Sequence, residues 1–389
     1  MPPWQGFFPI MSTTPDPLNV ALIGCGAIAL QNHLPGLALC PNVRLAALCD
    51  TDPARLEAAR QQTGAPQVTR DYRELIERDD IHAVIIATPN VTHAPIALAA
   101  VAHGKHVLCE KPLAMNAEEA WTMARAAEKA GVRHMTAFTY RFVPAMRYLA
   151  HLVRRGDLGT VYHFRACRLQ DWGRRGLGWR QVRALAGTGE LGDMLSHRID
   201  FAHLLVGRIR RLVAHWRRWH EERGGQPNEL DEWVAVLADF ENGATGVWES
   251  SKLATGHNES WRAPDTVELN GSDATFLYET RQWNTLRLGR PGGSHLETLE
   301  VPREFWKWPG SPRDPLQGDP LVTFRYDQIW EFVDAIRQQR PCAVTFHDGA
   351  LVQEVMDAVV QSAESRQWVE LPRPAHTGPA AHPTPAAAP

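Results

Sequence analysis

Lys111 stands in the triplet Glu110-Lys111-Pro112, directly after the apolar run His106 to Cys109. An ammonium fixed at the end of an inner strand can stabilise negative charge developing on an oxygen. A solvated lysine at a strand end would look the same, so a neighbouring feature has to decide. That feature is Gly24-Cys25-Gly26-Ala27-Ile28-Ala29, which follows the β-branched run Asn19 to Ile23. Gly24 permits a tight turn, Gly26 lets backbone approach a pyrophosphate, and Ala29 is small enough for helix packing. The helix starting at Ala27 and Ile28 offers its first N–H groups to phosphate.

Asp50 ends the next apolar run, 24 residues after Gly26, where its carboxylate can accept from both hydroxyls of a ribose. It would repel a 2′-phosphate, which favours NAD over NADP; Arg55 nearby is the residue that could reverse this. Ala87-Thr88-Pro89-Asn90 follows another inner run, with His93 three residues on. In an open parallel sheet, ligands occupy the crevice at the carboxyl ends of strands, so Thr88, Asn90, His93, Glu110 and Lys111 are candidate cofactor contacts. A proline turn with a surface His93 is the plain alternative.

The elements that must position these residues are legible as alternating runs. Asn19 to Ile23, Val43 to Cys49, Ala83 to Ala87, His106 to Cys109 and Val132 to Ala137 read as strands. Helical segments lie between them at Ile28 to Leu39, Pro53 to Gln62, Tyr72 to Glu77, Pro95 to Ala102 and Ala117 to Lys129. Asp52 before Pro53, and Asn116 with Glu119, fit helix starts. The pattern is α/β, a doubly wound Rossmann domain over 18–140. From 141 to 371 a helix at Pro144 to Arg155 precedes runs with glycine turns at Val161 to Leu169, Arg210 to Trp219, Trp233 to Phe240, Thr245 to Ser251, Asp265 to Leu269, Ala274 to Glu279 and Thr285 to Leu288. These predict an α+β domain with a mostly antiparallel open sheet. A helix at Leu191 to Leu205 interrupts the strands. Two more, Tyr326 to Arg337 and Gly349 to Glu364, close the chain and could pack back on the first domain.

With 389 residues, 44% hydrophobic and 22% charged, the chain reads as an ordinary globular protein of two domains. A net charge of −3 and short, interrupted basic clusters (Arg174-Arg175, Arg217-Arg218) argue against nucleic acid as partner. Six cysteines without metal-like or paired spacing suggest a reduced, cytoplasmic protein with no metal site. No signal peptide or membrane span is evident. Residues 1–17 read as a flexible extension, with Met11 an alternative start, and 372–389 as a disordered Pro/Ala tail.

Taken together, the Gly24 to Ala29 turn, Thr88-Pro89 with His93, Glu110-Lys111-Pro112, and Gly187-Thr188-Gly189-Glu190-Leu191-Gly192-Asp193 with His197 and Asp200 resemble the Gfo/Idh/MocA oxidoreductases. The resemblance spans Leu18 to Pro372. It implies that Lys111 lies beside the nicotinamide and hydrogen-bonds the reacting hydroxyl, that His197 is the general base, and that Asp193 binds or orients the substrate. Asp193 and His197, four residues apart on a helix, share one face. Asp200 is expected to be a structural partner. Thr188, Glu190 and Thr139 depart from the family pattern, and Glu190 is expected near the mouth of the substrate site.

Leu169-Gln170-Asp171-Trp172 and Trp179-Arg180 resemble the branch of that family containing levoglucosan dehydrogenase and inositol dehydrogenase. Tryptophan faces can cover the C–H side of a pyranose while Gln170, Asp171 and Arg180 meet hydroxyls. Arg141, Gln170, Trp172, Trp179, Arg180, Asp193 and His197 are the expected substrate contacts, with His257, Asn258 and Trp261 as additions; the other tryptophans read as core. The expected activity is NAD-dependent oxidation of a secondary hydroxyl of a cyclic sugar or polyol, a pyranoside or anhydrosugar at C3. Alternatives are glycoside cleavage through a transient 3-keto intermediate, or a noncatalytic sugar or NAD sensor. Trp233, Ala235 and Leu237 alternate on one strand face, which suits a homodimer or homotetramer.

Overall fold

A computed structural model describes residues 17–174, 178–258 and 265–372. The expectations for the N-terminal extension, the Pro/Ala tail, Arg175 and Trp261 lie outside those residues. Six strands, β1 (Leu18–Ile23), β2 (Val43–Cys49), β3 (Val68–Thr69), β4 (Ala83–Ile86), β5 (His106–Cys109) and β6 (His134–Thr136), form one sheet in the order β3-β2-β1-β4-β5-β6. Every pairing in it is parallel. Parallel strands need crossovers, and these are helical. The helices are α1 (Leu34–Leu39), entered through a wide π turn at Ala29–His33, α2 (Pro53–Thr63), α3 (Arg73–Ile76), α4 (His93–Ala102) and α5 (Ala117–Ala130).

The sheet is buried on both faces, which is why its strands read as continuous apolar runs. Leu34, Leu37 and Leu56 pack on one side, Ile96, Ala97 and Met123 on the other. Capping follows the sequence: Asp52 accepts from the Ala54 N–H at 2.9 Å, and Asn116 from the Glu119 N–H at 2.9 Å.

The second sheet has nine strands in the order β16-β15-β14-β13-β7-β12-β11-β8-β17. They are β7 (Val161–Leu169), β8 (Ile209–Arg217), β11 (Trp233–Phe240), β12 (Thr245–Ser251), β13 (Asp265–Gly271), β14 (Thr275–Glu279), β15 (Thr285–Gly289), β16 (Glu297–Glu300) and β17 (Val369–Glu370); β9 (Glu222–Arg223) and β10 (Gln226–Pro227) form a separate hairpin. Pairing is antiparallel except between β7 and β12. Along β11, Val234, Val236 and Phe240 are buried while Leu237 on the opposite face is 50% exposed. Helices α6 (Pro144–Arg155), α7 (Arg183–Ala186), α8 (Ser196–Leu205), α9 (Pro320–Thr323), α10 (Tyr326–Arg337) and α11 (Phe346–Ser365) complete the chain. No helix among the described residues is long and apolar enough to cross a membrane.

The last two long helices return to the first sheet. At Gly36 of α1 an added Cβ would come 2.7 Å from Ile329 on α10, so glycine is what permits that approach. Asp357 of α11 accepts from the Ala117 N–H at 2.7 Å, and Glu354 from the Trp121 indole at 2.7 Å. Helix α11 begins at Phe346, three residues before the sequence pattern indicates, because Asp348 accepts from the Thr345 N–H (2.7 Å) and hydroxyl (2.9 Å) in a capping box.

Arg141, expected as a substrate contact, joins these parts through buried carboxylates. Only 7% exposed, it binds both Asp200 oxygens through Nε at 3.0 and 2.8 Å and reaches Asp348 at 3.1 Å. Asp200 is thereby the structural partner expected of it. Removing one member of a buried ion cluster strands the others' charge, at about 3–5 kcal/mol. Arg141→Met should lower unfolding stability by that order in urea titration; a loss below about 0.5 kcal/mol, the scale of surface substitutions, would mean the cluster is solvated.

Candidate active site

The strand order reverses beside β1, and a crevice at that point is where such sheets bind ligands. The glycine turn lies there. Gly24 has φ +97°, and a Cβ on it would lie 2.5 Å from the Ala87 carbonyl oxygen. A Cβ on Gly26 would meet nothing within 4 Å, leaving open space over the backbone where a pyrophosphate would rest. Ala27 is exposed, Ile28 half-buried and Ala29 fully buried beneath the turn. Asp50 accepts from the Cys25 N–H at 2.7 Å and the Asp52 N–H at 2.8 Å. A carboxylate has about four lone-pair sites, so capacity remains for ribose hydroxyls. These features fit a dinucleotide. Arg55 is turned to Asp52, 3.3 Å away.

Two expected cofactor contacts serve as braces. His93 is 0% exposed, its ring nitrogens 3.0 Å from the carbonyl oxygens of Pro112 and Thr88. It ties the turn after β4 to the loop after β5, and burial lowers its pKa. The Asn90 amide donates to the Ala186 carbonyl at 2.9 Å, fastening α7 to the first sheet. Thr88 and Glu110 stay half-buried. Glu110 is 2.9 Å from His33 and accepts from the Lys111 N–H at 3.2 Å.

Lys111 extends from this braced loop toward the helix of the second domain. Its ammonium donates to the Asp193 backbone carbonyl oxygen and lies 3.5 Å from the Asp193 carboxylate Oδ1; Arg180 Nε lies 3.4 Å from that Oδ1. The helix start is built for this meeting. Asp231 accepts from the N–H of Gly189 (2.6 Å) and Leu191 (2.8 Å), an N-cap supplied from a distant loop. A Cβ on Gly189 would sit 2.1 Å from the Asp231 carbonyl oxygen, so only glycine allows the clamp. A π turn at Leu191–Leu195 carries Asp193 before α8 begins, a distortion frequent at functional sites.

His197 is 3% exposed and packs edge-on against Tyr140, centroids 4.6 Å apart, and Phe138, 5.8 Å apart. Among the described residues its Nδ1 has no hydrogen-bond partner. Burial, with Lys111 and three arginines adding, holds its pKa well below 6.5. Burial alone would raise the Asp193 carboxyl, but Lys111, Arg180 and Lys252 keep it below its ordinary range. Burial likewise opposes ionisation of Tyr140, yet Arg325, Arg168, Arg198 and Lys111 bring its phenol down to about 8.

The wall expected to hold a sugar is zipped together by backbone. Gln170 N–H donates to Ser251, and the Trp172 and Gly173 N–H groups to Lys252, at 2.8, 3.1 and 2.7 Å. Asp171 accepts from the Gly256 N–H at 3.0 Å, which folds the loop bearing His257 and Asn258 against it. Gln170 is 4% exposed; Trp172 and Trp179 are half-buried. The Arg180 guanidinium covers the Trp179 ring at 4.4 Å, and the Lys252 ammonium lies 5.1 Å from the Trp172 centroid. Tyr140 and Lys252 were not singled out from sequence. Tyr140 there marks only a domain boundary, and Lys252 only a polar residue after a strand. Among the described residues no three His, Cys, Asp or Glu gather as metal ligands would.

Glu190 is not at the mouth of the site. It is 0% exposed, and its Oε1 lies 2.6 Å from the Ser250 hydroxyl, which also lies 3.2 Å from the Arg168 carbonyl oxygen. Side chains at a helix start tilt back toward the N-terminus, and this one is carried under β12. One hydroxyl proton cannot serve two acceptors, so a protonated Glu190 completes the set. Burial, then Asp193, pushes its pKa up to about 8, against Lys252 and Ser250. A group raised in the folded state contributes stability fully below its unfolded pKa, near 4.5, and loses it as pH rises through about 8. Glu190→Gln should therefore flatten the fall of Tm over that window; parallel curves for variant and wild type would contradict a neutral Glu190.

Residues 18–138 match the model of the oxidoreductase family with an NAD-binding Rossmann fold, GFO/IDH/MocA, and residues 146–277 match the GFO/IDH/MocA C-terminal domain. Levoglucosan dehydrogenase of Pseudarthrobacter phenanthrenivorans is 31% identical over 390 residues, 92% of this chain and 98% of that protein. D-glucoside 3-dehydrogenase of Escherichia coli is 26% identical over 363 residues, 92% and 99% of the two chains. The structure of levoglucosan dehydrogenase in complex with NADH and levoglucosan superposes with a TM-score of 0.84 at 31% identity, covering 92% of this chain and all of that one. With the glycine turn, the braced lysine and the Asp193–His197 helix in these places, the chain belongs to the GFO/IDH/MocA family of NAD-binding oxidoreductases.

Proposed function

We propose that this protein oxidises a secondary hydroxyl of a cyclic sugar, a pyranoside or anhydrosugar at C3, to the ketone. The observation that carries the reading is the meeting of Lys111 with Asp193 at the start of the helix bearing His197, whose imidazole feels the Lys111 charge. The activities named for the levoglucosan and glucoside relatives support the same class of substrate. Bound NAD would supply the hydride acceptor. The Lys111 ammonium has three donors, of which one is fixed on the Asp193 carbonyl oxygen. A remaining one is free to meet the reacting oxygen and stabilise alkoxide character as it develops. His197, held neutral by burial and neighbouring cations, accepts the hydroxyl proton. Asp193 stays ionised to accept from a second hydroxyl, while Trp172 and Trp179 cover the apolar face of the ring.

Spectrophotometric NADH formation over a panel of pyranosides, anhydrosugars and inositols tests the reading; no NADH with any of them would end it. Lys111→Met should lower kcat by about 10²–10³-fold, and His197→Asn by about 10²–10⁴-fold. Because His197 is neutral until pH falls far below 6.5, the acidic limb of kcat/KM should lie well under that value, and a midpoint at or above 6.5 would exclude His197 as the base. The exposed face of β11, with Leu237 at its centre, is the surface through which we place a homodimer or homotetramer; a monomer mass by light scattering would refute it.

A further inference from the structure

His197 lacks the support that an imidazole base ordinarily has. A catalytic histidine usually donates one ring N–H to a carboxylate or carbonyl, which fixes the tautomer and leaves the other nitrogen to accept. Two other buried imidazoles of these loops do have oxygen partners: His33 lies 2.9 Å from Glu110, and His93 lies 3.0 Å from each of two carbonyls. Nδ1 of His197 is shut away from solvent with no hydrogen-bond partner among the described residues. The carboxylates within one turn of it are committed elsewhere, Asp200 to Arg141 and Asp193 to Lys111 and Arg180. The other ring nitrogen, Nε2, is not sealed in this way and is the one left to meet a ligand.

What packs against the imidazole is aromatic. The Tyr140 ring stands at 88° to it with centroids 4.6 Å apart, and the Phe138 ring at 74° and 5.8 Å. The Tyr140 spacing is at the short end of the range of about 4.5–7 Å for aromatic pairs, as when a small five-membered ring stands end-on over a six-membered face. The face of an aromatic ring is negative, so it attracts an N–H turned toward it and repels a lone pair. Tyr140 is itself fixed: it is 6% exposed, with the Arg198 and Arg325 guanidiniums 5.2 and 5.7 Å from its centroid and the Phe324 ring at 6.0 Å. Once the imidazole has taken a proton it is a cation within about 6 Å of the same ring, and the attraction grows. A contact that is stronger after proton transfer than before it favours the transfer.

Resting on the sugar-oxidation reading, we propose that Tyr140 is a positioning residue whose ring face accepts the Nδ1–H of His197, so that the neutral imidazole keeps its proton on Nδ1 and offers Nε2 to the substrate hydroxyl. The aromatic face takes the place that a carboxylate holds beside other catalytic histidines. Nitrogen NMR of the full-length protein labelled at histidine reads the tautomer directly, with the His197 signals assigned by their loss in His197→Asn. At neutral pH the wild type should carry the proton on Nδ1. Tyr140→Leu should move it to Nε2 and lower kcat by about tenfold, the scale of one aromatic contact, with KM for the sugar little changed. Tyr140→Phe, which keeps the ring, should keep the Nδ1 proton and recover most of that rate. A wild-type proton on Nε2 would overturn the proposal, whether or not the leucine variant folds. So would a leucine variant that retains the Nδ1 proton or the wild-type kcat, or a phenylalanine variant that loses the tautomer. An Nδ1 proton in a protein that forms no NADH with any sugar would uphold the ring contact and remove the dehydrogenase reading instead.

Discussion

One carboxylate, Asp193, is held between a lysine from the first sheet and an arginine from the second domain, and the two halves of the molecule are arranged around that meeting. Lys111 can reach it only if the loop after β5 and the start of the catalytic helix keep a fixed separation. Backbone does that. His93 ties the Lys111 loop to the turn after β4, Asn90 ties that turn to α7, and Asp231 clamps the residues between α7 and Asp193. Each brace ends on a carbonyl or an N–H, so none depends on the conformation of a flexible side chain at both ends. A shift of about 1 Å at a reacting centre can cost 10²-fold in rate, which gives such bracing its value.

The same helix separates two carboxyls three residues apart into different protonation states. Asp193 faces cations and stays ionised; Glu190 is carried under β12 against a serine and becomes a neutral acid. Environment, not residue type, assigns the roles. His197 follows the same logic in the opposite direction, because burial and surrounding positive charge keep the imidazole unprotonated and able to accept.

Where period and punctuation agree, the fold is legible in the chain. Val161–Leu169, Trp233–Phe240 and Thr245–Ser251 fall where alternation places them, and Pro144–Arg155 where its helical pattern does. β16 was missed because Glu-Thr-Leu-Glu carries almost no apolar signal on an outer strand, and β17 because two residues make no pattern. At the site, sequence brought together Lys111, Asp193 and His197 through a family resemblance, while spacing alone gave only the shared face of the last two. It did not foresee the buried partners of Arg141 and Glu190, for one reason. A charged residue is read as exposed or functional unless its buried partner is known, and those partners, Asp348 and Ser250, lie 207 and 60 residues away.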